Sequence, residues 1–253
     1  MITSGTYTGV NNLLGITSPA ASPSGVTLVE YLNSVTPGTS TLTVTGHSLG
    51  GALAPTLALA LVDKSNPLLS KWPAAQVNVY PTAGASPGNQ DFANYFFTNF
   101  TPSVSASIST SPWQVWNAVV WNLFDVVPNS WTFEPSQPAP NLYLIPGYYQ
   151  ESTEYSLTVC AEITAAVAVS AAHAVSFLTA NGAFGHLIQP SANPSITGIL
   201  NAGVTPENGF SGAADKADIV WWDQVLYQHV TAYEELILQI QPGQTNGLPL
   251  PVL

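Results

Sequence analysis

The sequence predicts an α/β fold in which a mostly parallel sheet is covered by helices on both faces. Strand-like segments alternate with helix-like segments along the chain, which is typical of βαβ units rather than of all-α or all-β folds. The strand-like segments are continuous apolar runs, as expected for strands that are buried on both faces. A chain of 253 residues suits one large domain, so we expect a single domain over residues 1–253.

The predicted elements follow one another from the N-terminus. A short strand is expected first, and a polar loop rich in Ser, Pro and Gly follows it. An apolar, strand-like run occupies residues 113–128. The other predicted elements are a helix over 26–35, a strand over 40–46, a helix over 50–64, a strand over 75–84, a helix near 89–100, an Ala-rich helix within 156–180 and a last helix over 218–240.

The charge of the chain argues against nucleic acid as a partner. Fourteen acidic residues face three lysines and no arginine, for a formal net charge of −11 at pH 7. Such a surface repels phosphate backbones. The only cysteine, Cys160, excludes an intrachain disulfide and an all-cysteine zinc site. The His and acidic residues form no recognisable ligand spacing, so we expect no metal and no cofactor.

Composition slightly favours an extracellular protein, because charge is scarce, and a cytoplasmic location stays open. No charged and apolar leader follows Met1, so this form is expected to carry no signal peptide. The segment 156–180 is long enough to span a bilayer. However, it is rich in Ala, Ser and Thr, lacks basic flanks and contains Glu162 and His173. We therefore expect a helix that packs in the protein or faces a cleft rather than a membrane span.

The stretch 42–51, LTVTGHSLGG, places a serine in a sharp bend between a predicted strand and a predicted helix. Functional groups gather at the carboxyl ends of parallel strands, where Ser48 stands. The Gly-x-Ser-x-Gly spacing indicates that the residues two before and two after the serine approach too closely for side chains. The helix that begins near Leu49 brings free N–H groups beside the hydroxyl. We interpret Ser48 as a nucleophile next to a site for an oxyanion, and an ordinary Gly-rich turn is the alternative.

Four segments of the chain together carry a resemblance, and these are VTGHSLGGALA, VNVYPTAGASPGNQDFANYF, NLFDVVP and HVTAY. They resemble the class 3, or fungal-type, triacylglycerol lipases of the α/β-hydrolase fold. The first is similar to the nucleophile segment of that family, and the second to its next strand and helix. NLFDVVP resembles its acid segment, N-x-x-D-x-V-P, and HVTAY resembles its histidine segment, H-x-x-Y, with one extra residue. The resemblance covers about half of the chain, residues 1–128 and about 220–235. It implies an α/β-hydrolase fold and hydrolysis of a carboxylic ester through an acyl-enzyme.

The chain also departs from the pattern of that family. Ala85 and Ser86 stand where the family has Pro-Arg, and Gln228 stands where an acidic residue often precedes the histidine. The chain begins at the strand expected to carry the oxyanion residue, so either the fold is trimmed at that edge or the chain is a fragment. A bare edge would invite pairing with another chain.

The resemblance implies a catalytic triad of Ser48, Asp125 and His229. A serine hydroxyl needs a histidine base that a carboxylate orients, and the chain order in this fold is Ser, acid, His. Asp125 follows the strand-like run and precedes Val-Val-Pro, so it stands where a strand ends. The alternatives are Asp91, on a predicted surface helix, and Asp223, six residues before His229 on the same predicted helix.

The chain contains three other histidines besides His229. His186 lies in a predicted loop and is the alternative base. His47 adjoins the nucleophile and is expected to point elsewhere. His173 lies in the Ala-rich segment, where a core or cleft histidine is expected.

The resemblance also implies an oxyanion hole made by the backbone N–H of Leu49 and a second donor at Thr6. ITSGT looks like the R-G-T stretch of the family, and Gly5 would allow close approach; a disordered N-terminal tail is the alternative. Residues 7–24 occupy the position of the family's lid. Residues 129–219 are longer than a compact fold needs, and we interpret them as a candidate cap within the domain.

The predicted function is serine-dependent hydrolysis of acyl esters such as acylglycerols by a lipase or esterase. The alternatives are another serine hydrolase on the same scaffold, such as a phospholipase, a polyester depolymerase or an acyltransferase, and a binding module without activity. The expected partner is a small-molecule or lipid ester, with transient contact to lipid interfaces, and the oligomeric state stays open.

Overall fold

The computed structural model describes residues 2–19, 24–63, 65, 67–104, 111–131, 140–149, 161–162, 164–169, 172, 195–198 and 224–238. Two parallel strands form the centre of the sheet, β1 (Leu42–His47) and β2 (Val77–Thr82). Leu42 lies opposite Val77, and His47 lies opposite Thr82. A separate antiparallel pair is formed by β3 (Ser103–Val104) and β4 (Val115–Trp116).

The parallel sheet continues past β2 through single backbone bridges. Thr82 bridges Val120, and Asn122 bridges Ile196, both in parallel. The N–H of Val120 donates to the Pro81 carbonyl at 3.0 Å, and the N–H of Ile196 donates to a carbonyl of the preceding segment at 3.1 Å. Four chain segments therefore run side by side in one direction, and their carboxyl ends meet at one edge. The predicted α/β class with a parallel sheet is confirmed.

Helices connect these segments, and polar caps define several of their starts. Thr27 and Glu30 form a reciprocal capping box, with Glu30 Oε2 accepting from the Thr27 N–H at 2.8 Å. Asn89 accepts from the N–H of Phe92 at 3.1 Å. The helices for which the structure gives both ends are α1 (Ser4–Gly15), α2 (Leu28–Ser34), α3 (Leu49–Val62), α4 (Gln90–Asn99), α5 (Val126–Asn129) and α6 (Ala232–Leu238), with a π-turn at Tyr227–Thr231 and 3₁₀ turns at Ala74–Gln76 and Leu142–Gly147.

The core lies mainly on one face of the sheet. Val44, Val79 and Trp121 point to this face and pack against α2, α3 and α4. The neighbouring side chains Tyr80 and Val120 point to the opposite face, where they pack against α6. Helices thus lie on both faces, as predicted.

The two faces of β1 and β2 are nonetheless buried to different extents, whereas the sequence predicts burial on both faces. Burial alternates along β1 and β2, and Thr43 and Thr45 of β1 are exposed. The expectation of strands buried on both faces is therefore wrong for β1, whereas Tyr80 of the neighbouring β2 packs in the cluster that contains α6.

The N-terminus also differs from the prediction of a strand and a loop. Ile2 makes a single antiparallel bridge to Gly88, and α1 begins two residues later. Thr3 caps this helix, since its Oγ1 accepts from the N–H of Thr6 at 3.1 Å while its own N–H donates to the Pro87 carbonyl at 2.9 Å. Thr3 therefore uses its hydroxyl to cap α1, and the chain continues from there as a helix rather than as a strand.

Much of the predicted cap and of the Ala-rich helix lies outside the described residues. Within 156–180, the structure describes residues 161–162, 164–169 and 172, all helical. The cap at 129–219 stays a prediction. No helix of the described residues is long and apolar enough to cross a membrane.

Candidate active site

Ser48 occupies a strained bend between β1 and α3. Its backbone has a φ of 58° and a ψ of −119°, which non-glycine residues rarely adopt. The Ser48 N–H donates to the Thr82 carbonyl at 3.1 Å, which ties the bend to the end of β2. The hydroxyl therefore projects from the carboxyl edge of the sheet, where the sequence predicts it.

The glycines around Ser48 have unequal steric roles. A Cβ on Gly46 would lie 2.8 Å from the Gly50 Cα and still closer to the Gly50 carbonyl, and a Cβ on Gly51 would lie 2.9 Å from the Gly84 Cα. A Cβ on Gly50 would meet nothing within 4 Å. The predicted collision of the residues two before and two after the serine is therefore correct for Gly46 and wrong for Gly50.

His229 approaches Ser48 from the C-terminal helix. Its Nε2 lies 2.8 Å from Ser48 Oγ, and its side chain is 15% exposed. His229 stands in the π-turn, where one extra residue is inserted into a helix. This extra residue matches the one by which HVTAY exceeds the H-x-x-Y pattern, so the turn absorbs it and keeps both His229 and Tyr233 directed at the site.

Asp125 lies on the other side of the imidazole and is fully buried. Its Oδ2 and Oδ1 lie 2.9 Å and 3.0 Å from His229 Nδ1. Oδ1 also accepts from the N–H of Val127 at 2.9 Å, because Asp125 caps α5. The buried carboxylate is thus held by hydrogen bonds, which offset the cost of removing it from water.

Tyr233 is a further residue of the site, to which sequence reasoning assigned no role. Its hydroxyl donates to Asp125 Oδ2 at 2.8 Å and accepts from the N–H of Asn122 at 2.8 Å. Burial raises the pKa of Tyr233 well above its usual value, and the charge of Asp125 adds to the rise. The phenol therefore stays protonated and acts as a donor to the carboxylate. The tyrosine of the H-x-x-Y pattern was the signal that could have identified it.

Two buried amides join the acid segment to the helix that carries His229. Asn122 Nδ2 donates to Gln228 Oε1 at 2.7 Å and to the Gln228 carbonyl at 3.0 Å. Asn122 Oδ1 accepts from the N–H groups of Gly198 at 2.8 Å and Phe124 at 3.2 Å. A Cβ on Gly198 would collide with both amides. Gln228, which stands where the family pattern often has an acidic residue, is therefore a neutral partner of Asn122 in this network.

The two predicted oxyanion donors differ in their surroundings. Leu49 is the first residue of α3, where a helix N–H has no carbonyl partner within the helix, and its side chain is 67% exposed. Thr6 is buried in the first turn of α1, not in a loop, and its N–H already donates to Thr3 Oγ1. The predicted loop is wrong, and the donor role of Thr6 stays a prediction.

The alternative residues are placed as follows. His47 does not point elsewhere, because the centroid of its ring lies 5.0 Å from that of His229. Asp91 is exposed at the start of α4, as expected of a surface helix. The remaining alternatives, Asp223, His173 and His186, lie outside the described residues. No group of three or more His, Cys, Asp or Glu that could hold a metal occurs in the part of the chain that the structure describes.

Comparison with known proteins finds a family match in the N-terminal half of the chain. Residues 16–132, slightly less than half of the chain, match the family model Lipase (class 3). The match supports the class 3 lipase family. The matched range contains Ser48 and Asp125, whereas His229 lies beyond it.

One solved structure that is similar to this chain is the crystal structure of M37 lipase. The TM-score is 0.64 and the sequence identity is 24%, over 94% of this chain and 58% of that chain. The likeness shows the fold, and the chain spans less than two thirds of the length of M37 lipase. A search of curated proteins finds no match.

Proposed function

We propose that this protein hydrolyses carboxylic esters through a covalent acyl-enzyme on Ser48, with His229 as the base and Asp125 as the orienting acid. One observation carries the proposal. Ser48 Oγ, the two ring nitrogens of His229 and the Asp125 carboxylate form a continuous chain of contacts at 2.8 Å and 2.9 Å. Three remote parts of the chain supply these groups, and the match of residues 16–132 to the class 3 lipase model supports the same reaction.

The first half of the reaction acylates the serine. As Ser48 Oγ bonds to the ester carbonyl carbon, its proton passes to His229 Nε2, and the carbonyl oxygen becomes an oxyanion. Asp125 accepts from Nδ1–H and stabilises the imidazolium. When the tetrahedral intermediate collapses, the alcohol leaves with the proton from Nε2, and the acyl group stays on Ser48.

The second half releases the acid. His229 takes a proton from water, the resulting hydroxide attacks the acyl carbonyl, and Ser48 recovers its proton as the carboxylic acid departs. The N–H of Leu49 stabilises the oxyanion in both halves, helped by the positive end of the α3 dipole. Thr6 supplies the second donor if its N–H turns away from Thr3.

The surroundings of Ser48 favour uncharged, apolar esters such as acylglycerols. The Leu49 side chain next to the nucleophile is largely exposed, and α1, which packs against α3, carries the exposed Tyr7. These side chains offer apolar contacts to an acyl chain or a lipid interface. The net charge of −11 disfavours anionic substrates.

Two measurements on the same variants test the proposal. A fluorophosphonate probe should label the wild type at Ser48, and p-nitrophenyl esters of increasing chain length should be hydrolysed. Ser48→Ala should abolish labelling and lower turnover by about 10⁴–10⁶-fold while the protein stays folded. The surface variant Ser34→Ala is the matched control and should behave as the wild type.

Each alternative function has its own outcome. An unlabelled wild type that stays folded would point to a binding module. Labelling without turnover of any p-nitrophenyl ester would point to another serine hydrolase, such as a phospholipase. Turnover that survives Ser48→Ala would contradict the assignment of the nucleophile.

A further inference from the structure

His47 lies against both the base and the tyrosine that supports the acid. Its ring centroid is 5.0 Å from that of His229, at an interplanar angle of 45°. It is 5.3 Å from the ring centroid of Tyr233, in an edge-to-face arrangement at 84°. Such offset ring contacts are favourable and directional. His47 thus touches the two rings that meet at Asp125.

The ring of His47 is itself anchored to the sheet. Thr82 Oγ1 lies 3.0 Å from His47 Nδ1 and 3.4 Å from the Gly46 carbonyl oxygen, so the ring nitrogen is the closer acceptor for the hydroxyl hydrogen. In the neutral ring, His47 Nδ1 therefore accepts from the Thr82 hydroxyl.

The electrostatic environment keeps His47 neutral beside the base. Packing of its ring lowers the pKa of His47, and the neighbouring His229 lowers it further, against the opposing charge of Asp125. A neutral His47 places no second positive charge next to the imidazolium that forms at His229 during acylation. The same ring can then support His229 in both protonation states.

The π-turn gives a reason for such support. In a π-turn the regular i to i−4 ladder of helix hydrogen bonds is interrupted, so the backbone around His229 is less constrained than in an α-helix. β1 delivers Ser48 and His47 as consecutive residues. The strand that presents the nucleophile therefore also presents a side chain that can hold the base in register with it.

We infer that His47 is a positioning residue that fixes the orientation of the His229 imidazole toward Ser48, through its ring contacts and its anchor on Thr82. The inference rests on the proposed function, because it assigns His229 the role of base. It adds a fourth side chain, from the nucleophile strand, to the groups that determine turnover.

Kinetics of four variants test this role. His47→Ala should lower kcat by about 10–100-fold and change KM by less than about twofold, because a misplaced base slows chemistry and leaves substrate binding intact. Thr82→Val, which leaves the elbow sequence untouched, should lower kcat in the same sense by less. The double variant should be no slower than His47→Ala alone, because both changes remove one anchor. Thr45→Val is the matched control on the same sheet face, where its hydroxyl donates to the Tyr80 carbonyl, and it should match the wild type.

Three outcomes would overturn the inference: His47→Ala with a wild-type kcat, a loss expressed in KM alone, or losses for His47→Ala and Thr82→Val that multiply in the double variant.

A structural readout separates this inference from the proposed function. The NMR signal of the proton between His229 Nδ1 and Asp125 should broaden in His47→Ala and Thr82→Val and stay sharp in Thr45→Val. If the signals behave so and no ester is hydrolysed, the proposed function fails alone. If hydrolysis depends on Ser48 and the signal is unchanged in His47→Ala, the inference fails alone.

Discussion

At the scale of single residues, the backbone around Ser48 makes the sharpest steric demands. Gly46→Ala and Gly51→Ala should prevent correct folding, because each new methyl would meet backbone atoms that cannot turn away. Gly50→Ala should fold normally and gain up to about 1 kcal/mol, because Ala is the better helix former. Soluble yield and thermal unfolding of the three variants measure this.

The three glycine variants are their own controls, since the change is the same methyl within six residues. A well-folded Gly51→Ala or an unfolded Gly50→Ala would contradict the steric account. The two glycines of the Gly-x-Ser-x-Gly pattern are Gly46 and Gly50. The expected outcome would show that a side chain is excluded at Gly46 and at the following Gly51, but not at Gly50.

Gln228 shows why a neutral side chain suits its position. Gln228→Glu would place a carboxylate in a fully buried site, where desolvation raises its pKa above the usual value of about 4.3. At a pH between the usual pKa and the raised pKa, this carboxyl group would be protonated in the folded state and ionised in the unfolded state. The variant should therefore lose stability as the pH rises through the raised pKa, by about 1.4 kcal/mol for each unit of the rise, and regain it in acid.

Urea unfolding of Gln228→Glu at several pH values between 4 and 8, each measured against the parent protein, checks this prediction. The exposed Gln90→Glu is the matched control, and its stability should follow the parent at every pH. Equal destabilisation of Gln228→Glu at pH 4 and at pH 8 would speak against a buried charge as the cause.

Some residues of the site can be read from the sequence and others cannot. Ser48, Asp125 and His229 stand in segments that resemble a family, so their approach to one another follows from a known chain order. His47 and Gln228 lie in the same segments, but the pattern does not predict their contacts, because these depend on side-chain directions and on the turn that shapes the helix around position 229. Sequence reasoning was therefore wrong about the direction of His47.

At the scale of elements, the π-turn is the feature most open to test. Deleting Thr231 would turn HVTAY into the H-x-x-Y spacing and allow a continuous α-helix from residue 224 to α6. His229 and Tyr233 should then keep their contacts to Asp125, so kcat should stay within about tenfold of the wild type, below the roughly 100-fold loss of a misplaced base. The melting temperature should stay the same or rise. Esterase kinetics and thermal unfolding measure both.

A deletion of Glu234 is the matched control for that experiment. It removes one residue just after the π-turn, where no extra residue is available to absorb the loss, and rotates Leu236 and Ile237 by about 100° away from the core they pack against. This variant should unfold at lower temperature. Inactivity of the Thr231 deletion together with full activity of the Glu234 deletion would contradict the assignment of the extra residue.

The elements also differ in how far the sequence predicts them. α2, β1, α3, β2 and α4 lie where the pattern predicts them, because caps, apolar runs and glycines agree there. The N-terminal segment was predicted wrongly as a strand and a loop. Gly5 and Gly9 lower its helix propensity, and tertiary packing decides instead: Gly9 lies so close to Leu53 that a Cβ there would be 2.7 Å from Leu53 Cδ2.

At the scale of the whole molecule, the site is assembled by the sheet rather than by any one segment. Ser48 and His229 lie 181 positions apart, and Asp125 and His229 lie 104 apart. The bridge between Asn122 and Ile196 adds a further long-range contact beside the acid. Periodicity in a sequence reports local structure, so this bridge could not be predicted, whereas the α/β class could.

This distance along the chain has a consequence for the order in which the protein regains its properties after denaturation. Trp72 and Trp121 become buried in a core built within residues 32–121, whereas the base arrives with residues 224–238. Closing the longer loop costs more entropy and comes later on average. On dilution from urea, ester turnover should recover more slowly than the tryptophan fluorescence, and simultaneous recovery would argue for a single concerted step. A half-built molecule would then be chemically silent, because its nucleophile would still lack the histidine that activates it.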